Sequence, residues 1–200
     1  MNASSTFSGS LGMCLVGALL TVTAIGGVAQ AAPIDPTGTW QIHDDTARIR
    51  IEKCGSEGQN ICGYPVWLKT GVNANGLPRL DGNNPDPTKR SRLVLGHQNI
   101  LGMKPNAEGK YEGRIYNVEN GRTYDITAAV VPAHPSQLVI HACVMVVMCE
   151  NLIWKRVADI LPGQLTGPTD GPDGPRADPE WAPVAGTPLG RRTTGTPSRR

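Results

Sequence analysis

The chain reads as an all-β protein: one small antiparallel up-and-down barrel of about eight strands, followed by a disordered Pro/Gly-rich tail. Three observations predict this. Residues Ala47 to Glu52 alternate apolar and charged side chains without a break, the pattern of a strand with one buried face. Asn120-Gly121 sits between two strand-like runs, which is the strongest short signal for a hairpin. No segment between Pro36 and Val157 carries a convincing helical stripe; only Ser91 to Met103 is ambiguous between strand and short helix.

Taken in order, residues 1–31 read as a signal peptide. An apolar run from Leu11 to Ile25 is closed by small residues and by Ala29-Gln30-Ala31, an A-x-A site for signal peptidase. The segment lacks the usual Lys or Arg before its apolar core, and a retained anchor from Leu11 to Val28 is the rival reading. Cleavage would leave a mature protein with no membrane span, periplasmic or secreted.

The domain then spans residues 36–157, roughly 120 residues, enough to bury about two-thirds of its chain surface. Gly38 to Ile42 opens it and Ala47 to Glu52 follows. Gly63 to Leu68 is next, with Pro65 placing it at an edge or a bulge. Tyr111 to Asn117 and Thr123 to Val131 flank the Asn-Gly turn. In the latter, Tyr124, Ile126, Ala128 and Val130 share one face, opposite Asp125 and Thr127. Gln137 to Val147 and Asn151 to Val157 complete the set. A meander of this length must sandwich or close, and closure removes the exposed edges. From Ala158 onward the sequence is rich in Gly and Pro and has no apolar period, so residues 158–200 read as a flexible tail.

A net charge of +2, without a basic stripe, argues against nucleic acid as a partner. Four cysteines lie in the domain, Cys54 with Cys62 and Cys143 with Cys149, eight and six residues apart. Export makes disulfides the natural reading, each stapling a local hairpin. A zinc knuckle needs spacings of two to four, and a redox motif needs Cys-x-x-Cys, so neither metal nor cofactor is expected.

The order of short motifs is also informative. Gly38-x-Trp40 precedes the strand that ends Lys53-Cys54-Gly55, and Ile61-Cys62-Gly63 leads to Trp67-Leu68. Asp81-x-Asn83-Asn84-Pro85-Asp86 and Arg90-Ser91-Arg92 follow. Gly113-Arg114-Ile115-Tyr116, Gly121-Arg122-Thr123-Tyr124 and Trp154-Lys155-Arg156-Val157 complete the series. This series resembles the family called domain of unknown function 2147, small exported bacterial proteins with a lipocalin-like barrel. The resemblance implies fold and export and brings no activity. The stretch Cys143 to Cys149 departs from the Gly-rich hairpin of that family.

Residues 69–92 form a long loop, a natural place for function. Its Asp81, Asn83, Asn84 and Asp86 could bind calcium, but they lack the EF-hand pattern and fit turn chemistry better. Arg90 and Arg92 could grip an acidic ligand, or pair with Asp81 or Asp86 and pin the loop. Histidines 43, 97, 134 and 141 have no triad or metal spacing, so an enzyme is not expected. His97, after Gly96, can reach the mouth of a barrel. The leading expectation is therefore a binding module for one small amphipathic or acidic ligand. Its candidate ligand-binding residues are Trp40, Trp67, Arg90, Arg92, Tyr116 and Tyr124. The alternative is a structural or interaction protein of the cell envelope, with a filled barrel and a tail that reaches a partner.

Overall fold

The structure, a computed structural model, describes residues 32–145 and 148–178. The expected leader, the chain beyond residue 178 and residues 146–147 lie outside the described residues. Eight strands follow one another: β1 (Gly38–Gln41), β2 (Ala47–Cys54), β3 (Asn60–Leu68), β4 (Ile100–Pro105), β5 (Tyr111–Asn117), β6 (Arg122–Val131), β7 (His134–Met145) and β8 (Met148–Val157). Each pairs antiparallel with its neighbour in sequence, and β1 pairs with β8, so the sheet closes into the expected barrel.

The local chemistry explains the elements. In β2, Ile49 and Ile51 enter the core while Arg50 and Glu52 face out and pair with each other at 2.7 Å. The β5–β6 turn is the Asn-Gly hairpin, with Gly121 at φ +67 and its N–H donating to Asn117 O at 2.9 Å. A Cβ on Gly121 would collide with the Asn83 carbonyl, because residues 81–84 pack directly onto this turn. Pro65 marks a bulge rather than an edge: the β2–β3 register shifts between Arg48 and Ile49, opposite it. The ambiguous segment Ser91 to Met103 resolves into loop followed by the start of β4.

Cys54 bonds Cys62 across the β2–β3 turn, and Cys143 bonds Cys149 as directly paired residues of β7 and β8. Each bridge joins neighbouring strands: the second links directly opposed residues, whereas the first runs diagonally, Cys54 lying opposite Asn60 and Cys62 opposite Glu52.

The two ends of the barrel differ. At one end Ile51, Ile61, Met103, Tyr111, Ala128 and Leu138 fill the interior. Trp40 belongs to that packed cluster, fully buried, with its indole N–H donating to Pro36 O at 2.8 Å. Arg156 lies over it, guanidinium carbon 4.1 Å from the ring centre, and donates to the carbonyls of Thr37, Pro135 and Asp35. Gly38 makes room for it: a Cβ there would meet Arg156 Nη1 at 2.7 Å, and its φ of +123 suits glycine.

The tail expectation needs correction for residues 158–178, which lie along the outside of β2 and β3 as a strap. Arg48 donates to Asp159 O at 2.7 Å, to Asp159 Oδ2 at 2.9 Å and to Gln164 Oε1 at 3.2 Å. Arg50 donates to Gly167 O, and Thr169 Oγ1 to Glu52. The Leu165 amide donates to Val66 O, while its side chain packs on Cys54, Cys62, Tyr64 and Val66, a second apolar cluster. Farther on, the Arg176 amide donates to Gly96 O and the Asp178 amide to Gln98 Oε1. The strap needs no apolar period because it is held by single polar bonds to strand residues and by one leucine. β3 is therefore buried on both faces from Ile61 to Val66.

Candidate functional site

The end of the barrel opposite Trp40 is hollow. Here β1, β3, β5 and β7 end and β2, β4, β6 and β8 begin, and the strand ends surround a cavity of about 1040 Å³, open to solvent. Its inner wall is apolar: Ile42, Ala47, Ile49, Pro65, Leu68, Ile115, Tyr124, Ala142 and Leu152, with Trp154 among them. A hollow of this size takes a small molecule, since ligand pockets commonly run from about 300 to 1,000 Å³.

The alternation of side chains explains why the wall is apolar, since inward positions recur every second residue along each strand. On β2, Ile49 reaches the hollow while Ile51 lies in the packed half. On β8, Leu152 and Trp154 point the same way, and Trp154 is 4% exposed.

The rim carries Asp44, Glu119 and Glu150 against one guanidinium, Arg79, which is held by Glu119 at 2.6 Å. Asp44 has its carboxyl below the usual range: burial raises it, but the hydrogen bonds from Thr46 and the nearby His43 together outweigh that.

One side of the cavity is formed by Val94, His97, Asn99 and Tyr116. Asp81 is fully buried behind it and accepts three hydrogen bonds: from Tyr116 Oη at 2.6 Å, Arg92 Nε at 2.8 Å and Asn84 Nδ2 at 2.8 Å. Burial, then the bond to Asp81, holds the Tyr116 phenol above its ordinary range. Asp178, from the strap, meets Lys89 at 2.7 Å and Arg92 at 3.5 Å. The rest of the loop is turn chemistry: Asn84 Oδ1 accepts from the Asp86 amide and Asp86 Oδ1 from the Thr88 amide.

His97 stands edge-on to Tyr116, ring centres 5.9 Å apart, and is 4% exposed. Its Nδ1 lies 2.6 Å from Val94 O. A carbonyl only accepts, so Nδ1 carries the hydrogen and Nε2 presents a lone pair. Burial pulls the His97 pKa down to about 4, which keeps the ring neutral. Three buried atoms of cavity-lining residues have no hydrogen-bond partner among the described residues: His97 Nε2, Asn99 Oδ1 and Trp154 Nε1.

Of the six residues singled out from the sequence, Tyr116 and Tyr124 line the cavity. Trp40 is in the packed half, and Trp67 is half-buried outside the cavity lining. Arg92 is taken by Asp81 and Asp178, and Arg90 donates to Asn84 O at 2.7 Å, so this pair pins the loop. Asn99 and Trp154 were not singled out, because nothing in their sequence neighbourhood distinguishes a lining side chain from a packed one. His141 lies near Cys143 and Cys149, but both sulfurs are committed to the bridge, which leaves no thiolate for a metal.

A closed eight-strand meander, packed at one end and hollow at the other, defines a barrel of lipocalin type. Residues 38–156 match the family model described as uncharacterized protein conserved in bacteria (DUF2147), and the chain belongs to that family. Among solved structures it is similar to protein HP1028 from the human pathogen Helicobacter pylori, described as belonging to the lipocalin family. That match has a TM-score of 0.52 and 20% identity, and covers 63% of this chain and 85% of that one. At this identity the likeness concerns the fold. The comparison with curated proteins finds no match.

Proposed function

We propose that this protein is an exported bacterial barrel, periplasmic or secreted, that binds one small molecule and catalyses no reaction. The observation that carries the reading is the half-empty barrel. One end is packed by Ile51, Ile61, Met103 and Leu138, while the other keeps an apolar hollow of about 1040 Å³ open to solvent. A barrel serving only as a scaffold gains stability by filling both ends, since voids forfeit packing energy. Both disulfides suit an oxidising compartment, and among the described residues no helix is long and apolar enough to cross a membrane. The absence of a catalytic function rests on the cavity's polar groups: among the described residues no acid or nucleophile is bonded to His97, and Tyr116 is committed to Asp81.

The test is mass spectrometry of the protein expressed with its own leader and recovered from the periplasm. The denatured mass is expected to show cleavage after Ala31 and the loss of about four hydrogens to two bridges. The native spectrum is expected to carry one additional small mass. A bare protein that also binds nothing from a library of apolar compounds would overturn the binding reading.

A further inference from the structure

We infer that the Cys143–Cys149 bridge is the gate of a metal site: once a dithiol reductant opens it, the two thiolates and His141 hold one thiophilic divalent ion of the zinc class.

The two bridges of the barrel differ in how they can be reached. Cys54 and Cys62 are 4% and 0% exposed and lie under Leu165 of the strap. Cys149 is exposed and Cys143 half-buried. Thiol exchange requires access to a sulfur, so a reductant attacks the second bridge first. That bridge is also redundant as a staple. Below it the β7–β8 ladder runs unbroken from Gln137 opposite Lys155 to Ala142 opposite Glu150, and above it Met145 opposes Met148. Opening the bridge therefore leaves both cysteines facing each other across paired strands.

The neighbours of the bridge make a donor set. Ile140 and Ala142 point into the barrel, as do Leu152 and Trp154, so His141, Cys143, Cys149 and Asn151 share the outer face. His141 opposes Asn151 and Cys143 opposes Cys149, which makes a compact block beside the cavity mouth that Cys149 borders. A ring nitrogen of His141 and the two sulfurs all lie within 4.8 Å of one another. His141 Nδ1 donates to Asn151 Oδ1 at 2.8 Å, since an amide oxygen only accepts. The lone pair is thereby fixed on Nε2, which stands 3.6 Å from Cys143 Sγ. A histidine oriented in this way by an outer hydrogen bond is the usual form of a metal ligand. Bonds of about 2.3 Å to sulfur and about 2.0–2.1 Å to nitrogen set at the tetrahedral angle place those two atoms about 3.6 Å apart, so this edge of a zinc tetrahedron is already in place. The sulfurs must part to about 3.8 Å, which follows from breaking their bond and turning one side chain. The fourth position faces solvent and falls to water.

The chemistry balances. A thiolate of the reductant attacks Cys149 Sγ, the Cys143–Cys149 bond breaks, and the second thiol of the reductant displaces Cys149 from the mixed disulfide. The protein gains two electrons and two protons, and the reductant leaves as its own disulfide. The metal then displaces the two thiol protons into solvent. In an oxidising compartment the resting form is the bridge, and the metal form exists only where a dithiol donor is at work.

The experiment treats the intact, oxidised protein with dithiothreitol under argon and removes the reagent by gel filtration. Alkylation of one portion and peptide mass analysis are expected to find Cys143 and Cys149 modified while Cys54 and Cys62 stay bonded. Zinc is titrated into a second portion against a chromogenic chelator, with tryptophan emission reporting the fold. The reduced protein is expected to take up one zinc, with affinity on the order of a hundredfold or more above that of the oxidised form. Cobalt(II) in its place is expected to show strong thiolate-to-metal absorption. His141→Ala is expected to weaken zinc binding at least about tenfold, and Asn151→Leu, which keeps all three ligands, about tenfold. Equal zinc binding by the two forms, cobalt without thiolate absorption, or unchanged affinity in both variants overturns the metal site. Opening of both bridges together, or loss of the fold before Cys143 and Cys149 are free, overturns the gate.

Discussion

Arg156 covers Trp40 with its guanidinium carbon 4.1 Å from the ring centre, so a residue of the last strand seals the barrel over a residue of the first. The same guanidinium binds three main-chain carbonyls, on residues 35, 37 and 135. It closes the packed end much as a plug would, and its planar fork suits that geometry better than an ammonium does.

Arg156→Met is therefore expected to cost about 2 kcal/mol, the cation–π contact and some of the carbonyl bonds together. Arg156→Lys is expected to recover less than half of it. Urea denaturation followed by tryptophan emission measures both. A loss below about 0.5 kcal/mol in the methionine variant would mean the plug is ornamental.

Asp81 holds the loop against the cavity wall. Replacing it with Ala leaves Arg92, Asn84 and Tyr116 Oη without their acceptor. The expected loss is about 3 kcal/mol, at the lower end for a broken buried pair because Arg92 is partly exposed. The double variant Asp81→Ala with Arg92→Met is expected to be less destabilised than the sum of the single variants, and a denaturation cycle reads the difference. Strict additivity would sink the coupling.

Stability should fall in mild acid because of His97. In the unfolded chain this ring takes a proton below about pH 6.5, whereas burial holds its folded pKa near about 4. Between those values the unfolded state binds more protons, so the contribution is intact above about pH 6.5 and declines toward pH 4. Arg92 acts on the ring by its charge in one direction, Asp81 and Asp178 in the other, and Tyr116 packs edge-on to it. The full decline is roughly 3 kcal/mol. Urea melts at pH 7.5, 5.5 and 4 are expected to show it in the wild type, and its near absence in His97→Gln. A parallel pH dependence in both proteins would refute the assignment.

The strap is expected to stabilise the barrel from outside. Leu165→Ala thins the cover of Cys54, Cys62, Tyr64 and Val66 and is expected to cost about 1.5 kcal/mol, less than a fully buried leucine. Ending the chain after Val157 is expected to cost more, since Arg48 then loses Asp159 and Gln164 as well. Thermal melts of both variants beside the wild type decide it. Unchanged melting of the shortened chain would mean the strap is a passenger.

What the sequence made legible follows from where its information is local. The alternation in Ala47 to Glu52 and the Asn-Gly turn at Asn120-Gly121 are properties of neighbouring residues, and both elements formed where they pointed. The cavity is a property of height within the barrel. Ile49 and Ile51 are alike in type and share a face, yet only Ile49 borders the hollow. That distinction depends on the register of eight strands and on how the loop folds over them. Arg92 illustrates the same limit: its partner Asp178 lies far along the chain, in a segment whose composition suggested no structure. The strap escaped because its contacts, Arg48 to Asp159 above all, follow no repeating pattern.

The order of the barrel has a kinetic consequence. Seven of its eight pairings join strands adjacent in sequence, whereas the eighth, Thr39 with Val157 and Trp40 with Arg156, spans the whole domain. Hairpins of short reach close at little entropic cost, but this seam must wait until the meander has curled far enough for its ends to meet. We expect the seam to form last on refolding and to open first in native-state hydrogen exchange, starting at the two strands that no turn connects.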